Sequence, residues 1–157
     1  MLLKKRKLGR KIDEITIGEK LTLTEKMEDK DLLLYLGLTN DANPLYIQHD
    51  YASQTSYKKP IVPNIMLLGI ITSAVSKYLP GPGSHILSQA IEFPRPVYHS
   101  STVIFLFEVI EVNVENEVVG IEVSGINDDK EIVLKGNINV CPPKQTVSLD
   151  GSILDNF

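Results

Sequence analysis

The chain has 157 residues, 43% of them apolar, and carries 16 basic against 20 acidic side chains for a net charge of −4. That length suits one domain able to bury a core unaided, and the single cysteine, Cys141, excludes a disulfide framework or a cysteine-based metal site. No apolar stretch approaches the roughly 18 to 20 residues of a membrane span and no signal-peptide run follows the basic start, so the expectation is a protein of the reducing cytoplasm with no membrane partner.

Charge is unevenly spread. Lys4, Lys5, Arg6, Lys7, Arg10 and Lys11 put +6 into residues 1–11, which leaves −10 for the remainder. Without the aromatic interleaving or recognition helix of a nucleic-acid binder, this run reads as a solvated basic tail with no nucleic-acid partner. The domain is expected over residues 12–143, followed by a polar tail over 144–157.

In chain order, Ile15 to Met27 alternate loosely around Gly18-Glu19 and predict a strand. Glu28-Asp29 then place negative charge where a helix N-terminus favours it, and Leu32 to Leu36 predict a short helix ending near Gly37. Asn40 to Pro44 are turn formers and predict an ordered loop. A further short helix is expected within Gln48 to Thr55, with Tyr51 and Ala52 inward. Ile65 to Val75 carry no charge and no polar face, which predicts a helix surrounded by protein, stopped by Pro80-Gly81-Pro82-Gly83. The rest reads as strands over Ser84 to Phe93, Thr102 to Val114, Val118 to Asn127 and Ile132 to Val140. Polar turns at Glu115-Asn116-Glu117 and Asn127-Asp128-Asp129 are short enough to require antiparallel pairing. One buried helix and a curved antiparallel sheet define an α+β domain.

Thr39-Asn40-Asp41-Ala42-Asn43-Pro44-Leu45-Tyr46, continued by Tyr51-Ala52, resembles the signature [ST]-G-D-x-N-P-x-H-x-D-x-x-[YF]-A of the MaoC-like (R)-specific enoyl-thioester hydratases. Pro60-Ile61-Val62-Pro63-Asn64-Ile65-Met66-Leu67 resembles that family's P-I-V-H-G-M-L at the start of its central helix. Leu79 to Ser84 and Phe93 to Val97 are similar to its L-P-G-x-G-S and F-x-x-P-V. The four blocks keep the family's order and approximate spacing over Ile15 to Pro142. The resemblance implies a hotdog fold, a long helix wrapped by a curved antiparallel sheet, that works as a homodimer or higher oligomer. It also implies an acyl-CoA or acyl-carrier thioester as substrate, with no cofactor or metal.

In such enzymes an Asp and a His five positions later handle the water that is added to a trans-2-enoyl thioester or removed from an (R)-3-hydroxyacyl one. Water is a poor nucleophile, so one group must take its proton while another delivers a proton to the α-carbon. Unpaired N–H groups at a helix N-terminus polarise the thioester carbonyl. By this resemblance Asp41 and Tyr46 are the catalytic candidates, and Asn43, Pro63, Asn64 and Ile65 the substrate-binding ones.

Two departures bear on the chemistry. Tyr46 replaces the histidine, and a phenol is protonated at neutral pH, so it donates well but is a poor resting base. Asp41 then has to be the base. Pro63-Asn64 replaces His-Gly; Pro63 suits the first helical position, which leaves the N–H groups of Asn64 and Ile65 unpaired. His85 and His99 have no partner at metal-ligand spacing and are expected at the surface or on strand edges. Lys58, Lys59, Lys77 and Arg95 are candidates to meet the phosphates of coenzyme A. The leading expectation is a hydratase or dehydratase of acyl thioesters in fatty-acid metabolism. The alternative is a non-catalytic acyl-thioester binder, or a degenerate subunit of a hotdog dehydratase dimer. A thioesterase is weaker, because hotdog thioesterases do not share the Asp-x-Asn-Pro block.

Overall fold

Residues 7–144 are described by the computed structural model. After a 3-10 turn at Ile12–Glu14, the elements are β1 (Lys20–Lys26), α1 (Asp29–Thr39), α2 (Pro44–Ile47), α3 (His49–Ala52), α4 (Asn64–Lys77), β2 (His85–Glu92), β3 (Thr102–Asn113), β4 (Val118–Ile126) and β5 (Ile132–Cys141). The strands form one sheet in the order β1-β3-β4-β5-β2, antiparallel throughout. The expected first strand is shorter than its alternation suggested, beginning only at Lys20.

Period-two burial builds the sheet's inner face. Val103, Phe105, Phe107 and Val109 of β3 are buried and their intervening neighbours are not, as expected where one face packs on a core. Both predicted polar turns join hairpins. At the second, the Asn127 side chain accepts the N–H groups of Asp129 (3.0 Å) and Glu131 (2.9 Å), which sets the reversal between β4 and β5.

α4 lies on this face with Leu67, Ile71, Ala74 and Val75 in the same core as the β3, β4 and β5 side chains. The helix is not enclosed all round, as its missing polar face had suggested. Ile65 is 51% exposed, and Gly69 and Thr72 are exposed, because the sheet covers one side of α4 only. No helix among the described residues is long and apolar enough to cross a membrane.

Gly9 and Arg10, which the charge pattern put in a solvated tail, are held by backbone. The Gly9 N–H donates to the Pro82 carbonyl at 2.8 Å and the Arg10 N–H to that of Pro80 at 3.0 Å, while the Arg10 guanidinium binds the Glu19 carboxylate. A Cβ on Gly9 would sit 2.4 Å from the Pro80 oxygen, so the approach requires glycine. Lys4, Lys5 and Arg6 lie outside the described residues, as do residues 145–157 of the expected C-terminal tail.

Candidate functional site

The site begins at the end of α1. Asp29 and Asp31 in its first turn complement the helix dipole. The helix passes through Gly37, a substitution costing only about 1 kcal/mol against alanine, and stops at Asn40, which adopts the left-handed conformation (φ 60°, ψ 27°). Its N–H donates to the Leu36 carbonyl at 2.8 Å. That cap reverses the chain and returns Asp41 toward the helix it has just left. The Tyr35 hydroxyl donates to Asp41 Oδ2 at 2.8 Å, and the Asn43 N–H donates to Oδ1 at 3.0 Å. Both carboxylate oxygens are therefore gripped from different directions.

Asn43, expected to bind substrate, uses its side-chain oxygen as the N-cap of α2, accepting the Leu45 N–H at 3.0 Å, with Pro44 in the first helical position. Tyr46 follows on α2, half-buried, its N–H donated to the Asn43 carbonyl at 3.0 Å. It lines a cavity of about 530 Å³ bounded by Leu32, Leu33 and Leu36 of α1, by Ile47 and His49, and by the Lys59-Pro60 and His99-Ser100 turns. Asp41 does not line this cavity. The hydrogen bond to Asp41 is the main cause that raises the Tyr35 pKa above the ordinary tyrosine value; burial adds to this, and Tyr46 contributes less.

Pro63, expected as the first residue of α4, is instead its N-cap, buried and non-helical (φ −58°, ψ 134°). The chain arrives extended because the Val62 N–H is bonded to the Val97 carbonyl (2.7 Å) and the Ile61 N–H to that of Leu45 (3.0 Å). The helix starts at Asn64, and the Met66 N–H returns to the Pro63 carbonyl at 3.0 Å. The N–H groups of Asn64 and Ile65 fall in the first turn, where an α-helix offers no partner of its own. Both side chains are exposed. The Ile61–Leu45 hydrogen bond ties this helix start to the segment carrying Tyr46, so the two motif blocks meet through backbone.

Three residues stand differently from their sequence reading. Tyr35 was not singled out; a phenol six positions before Asp41 becomes its neighbour only through the left-handed turn at Asn40. His99, expected at the surface or on a strand edge, has a side chain 15% exposed, with Nε2 3.2 Å from the Ile61 carbonyl and a buried Nδ1 that has no hydrogen-bond partner. Asp29 Oδ1 stands 4.0 Å from that nitrogen. Tyr51, expected inward, is 46% exposed, whereas Ala52 is fully buried.

Of the basic candidates, Lys59 lines the Tyr46 cavity with its ammonium 4.6 Å from the centre of the Tyr98 ring. Arg95 is engaged with Glu131 at 2.9 Å. Lys77 lies at a second cavity of about 340 Å³, between β1 and α4, together with Glu25 and Lys26. Met66 lines that cavity, but Asp41, Asn43, Tyr46, Pro63, Asn64 and Ile65 do not.

The MaoC like domain model matches residues 11–130. An (R)-specific enoyl-CoA hydratase of Rhodospirillum rubrum is 32% identical over 91 residues, 58% of this chain and 63% of that protein, so the match spans less than two thirds of that relative. An (R)-specific enoyl-CoA hydratase of Aeromonas caviae is 27% identical over 118 residues, 75% of this chain and 78% of that protein. Among solved structures, the R-hydratase PhaJ1 from Pseudomonas aeruginosa matches with a TM-score of 0.80 at 26% identity, covering 92% of each chain. The ChsH1-ChsH2 complex from Mycobacterium tuberculosis matches with a TM-score of 0.72 at 21% identity, covering 81% of this chain and 98% of that one, a likeness of fold alone. With its hotdog architecture, its Asp-x-Asn-Pro turn and a family match over most of its length, this chain belongs to the MaoC-like domain family.

Proposed function

We propose that the protein hydrates trans-2-enoyl thioesters, or dehydrates (R)-3-hydroxyacyl thioesters, carried on coenzyme A or an acyl-carrier protein. The observation that carries this reading is the Asp41 carboxylate, held at both oxygens on the retained Asp-x-Asn-Pro turn. Asp41 takes the proton of water as the oxygen attacks the β-carbon; the α-carbon gains its proton either from Tyr46, which the proton on Asp41 then replaces, or from Asp41 itself while Tyr46 only donates a hydrogen bond. The N–H groups of Asn64 and Ile65 meet the negative charge that develops on the thioester oxygen, a stabilisation that fixed backbone donors supply without reorganising. Lys59 offers positive charge for an anionic carrier group in an otherwise acidic body.

The relatives named above as (R)-specific enoyl-CoA hydratases support the reaction class. A 3-hydroxybutyryl-CoA dehydratase of Methylorubrum extorquens, 26% identical over 133 residues, supports the reverse direction. A short trans-2-enoyl-CoA should lose its enoyl-thioester absorbance on addition of the protein, and Asp41→Asn should lower that rate by about 10²- to 10⁴-fold, the usual worth of a general base. Absence of turnover with both CoA and carrier-bound thioesters at high protein concentration overturns this reading.

A second reading is favoured by Tyr46 in place of the motif histidine and by the exposed side of α4: an acyl-thioester binder, or the silent subunit of a mixed hotdog dimer. Calorimetry showing acyl-CoA binding without turnover, with activity restored by a partner bearing an Asp/His pair, selects it.

A further inference from the structure

A carboxylate that serves as a base faces a geometric demand that its charge alone does not meet. One oxygen lone pair must stay directed at the water while the group remains anionic, because a carboxylate free to rotate about its Cβ–Cγ bond spends most of its time misaligned. A lysine or arginine partner would fix it but would neutralise the charge. A neutral donor fixes it and leaves the charge in place.

Tyr35 meets that description. It is half-buried on the penultimate turn of α1, and its hydroxyl reaches Asp41 Oδ2 at 2.8 Å. The opposite oxygen is taken by the Asn43 N–H at 3.0 Å from within the loop. The loop grips one oxygen and the helix the other, so rotation of the carboxylate breaks one hydrogen bond or both. The support behind Tyr35 is itself fixed: the Thr39 hydroxyl donates to the Tyr35 carbonyl at 2.8 Å, and the Asn40 N–H caps the same turn at Leu36. The surroundings of Tyr35 also favour its protonated, donating form, chiefly through the hydrogen bond to Asp41, so the donor persists through the neutral range.

We propose that Tyr35 is the positioning residue of this site, holding the Asp41 carboxylate in one orientation for proton transfer while acting on substrate only through Asp41. The proposal rests on the hydratase reading above. It explains how a site without the motif histidine keeps its base ordered: the second oxygen is held by a phenol from α1.

The test combines kinetics with a titration that needs no turnover. With a short trans-2-enoyl-CoA, Tyr35→Phe should lower kcat by about 10- to 100-fold, the scale of a misplaced catalytic group, and leave KM within about two-fold of its original value. On an Asp41→Asn background the same substitution should cause no further loss, since groups that act as a unit are not additive. A merely structural tyrosine would lower activity on both backgrounds. Separately, the alkaline absorbance titration of the six tyrosines should contain one late phenol that disappears in Tyr35→Phe and returns to the ordinary range in Asp41→Asn. Equal kcat in the original protein and Tyr35→Phe overturns the role of Tyr35 and leaves the hydratase reading standing. An additive loss on the Asp41→Asn background, or a titration without the late phenol, also overturns it. Complete lack of turnover by the original protein removes the hydratase reading and the kinetic role of Tyr35 together, while the titration still reports whether the pair exists.

Discussion

Tyr46 concentrates the chemical question in one side chain. A histidine can give or take a proton near neutrality, whereas a phenol gives one readily and takes one only when strongly assisted. The loss of one acid-base partner corresponds to about 10²- to 10⁴-fold in rate, or about 3 to 5 kcal/mol of transition-state stabilisation. If Asp41 is the sole base, Tyr46→His should raise kcat toward the upper part of that range and Tyr46→Phe should lower it by roughly the worth of a donated hydrogen bond, about 10-fold. Steady-state assays of both variants on one enoyl-CoA check the pair. An unchanged rate in Tyr46→Phe removes the phenol from the mechanism. Tyr46 was legible in the sequence because its place in the motif is fixed by spacing from Asp41. Tyr35 was not, because its proximity to Asp41 depends on the helix running past Gly37, where it was expected to end, to Thr39, and only then turning left-handed at Asn40.

At the scale of elements, β2 shows how a single backbone approach decides an edge. It pairs with β5 along one side only, and Gly136 of β5 lies opposite Ile91. A Cβ on Gly136 would stand 2.0 Å from the Ala90 carbonyl oxygen, which belongs to backbone and cannot swing away. Gly136→Ala should therefore separate β2 from β5 and cost at least about 1 to 3 kcal/mol, the usual penalty for forcing atoms into packed structure. A lowered denaturation midpoint, with loss of amide protection over residues 85 to 92, is the expected result; unchanged protection contradicts it. The strands themselves were legible as apolar runs between polar turns, but not which face of β3 is inward: Val103 to Phe107 is continuously apolar, and only the burial alternates. The start of α4 was misplaced by one residue. Pro63 suits the first helical turn by its φ, but the hydrogen bond from Val62 to Val97 keeps the preceding chain extended, and so the helix begins at Asn64.

For the whole molecule, the unfinished surfaces lie on the exposed side of α4 and the open edge of β2. Ile65 is half exposed in the first turn of α4, and Leu87 on β2 is 52% exposed. An unpaired strand edge is a template for another strand. Association of two copies, expected from the family, should give twice the 17.5 kDa chain mass in sedimentation equilibrium. Leu87→Lys should shift that equilibrium toward monomer by placing charge on the open strand. A single species of one chain mass at micromolar concentration contradicts dimerisation. The sequence by itself determined the antiparallel α+β architecture and the location of the Asp41 turn, because periodicity, turn chemistry and motif spacing are local and survive without a fold. Only the tertiary structure decided that Asp41 is held by Tyr35, that His99 is mostly covered and lines the Tyr46 cavity, and that one side of α4 remains open. These depend on which segments, distant along the chain, are brought to one place, and on how far a five-stranded sheet can reach around a single helix.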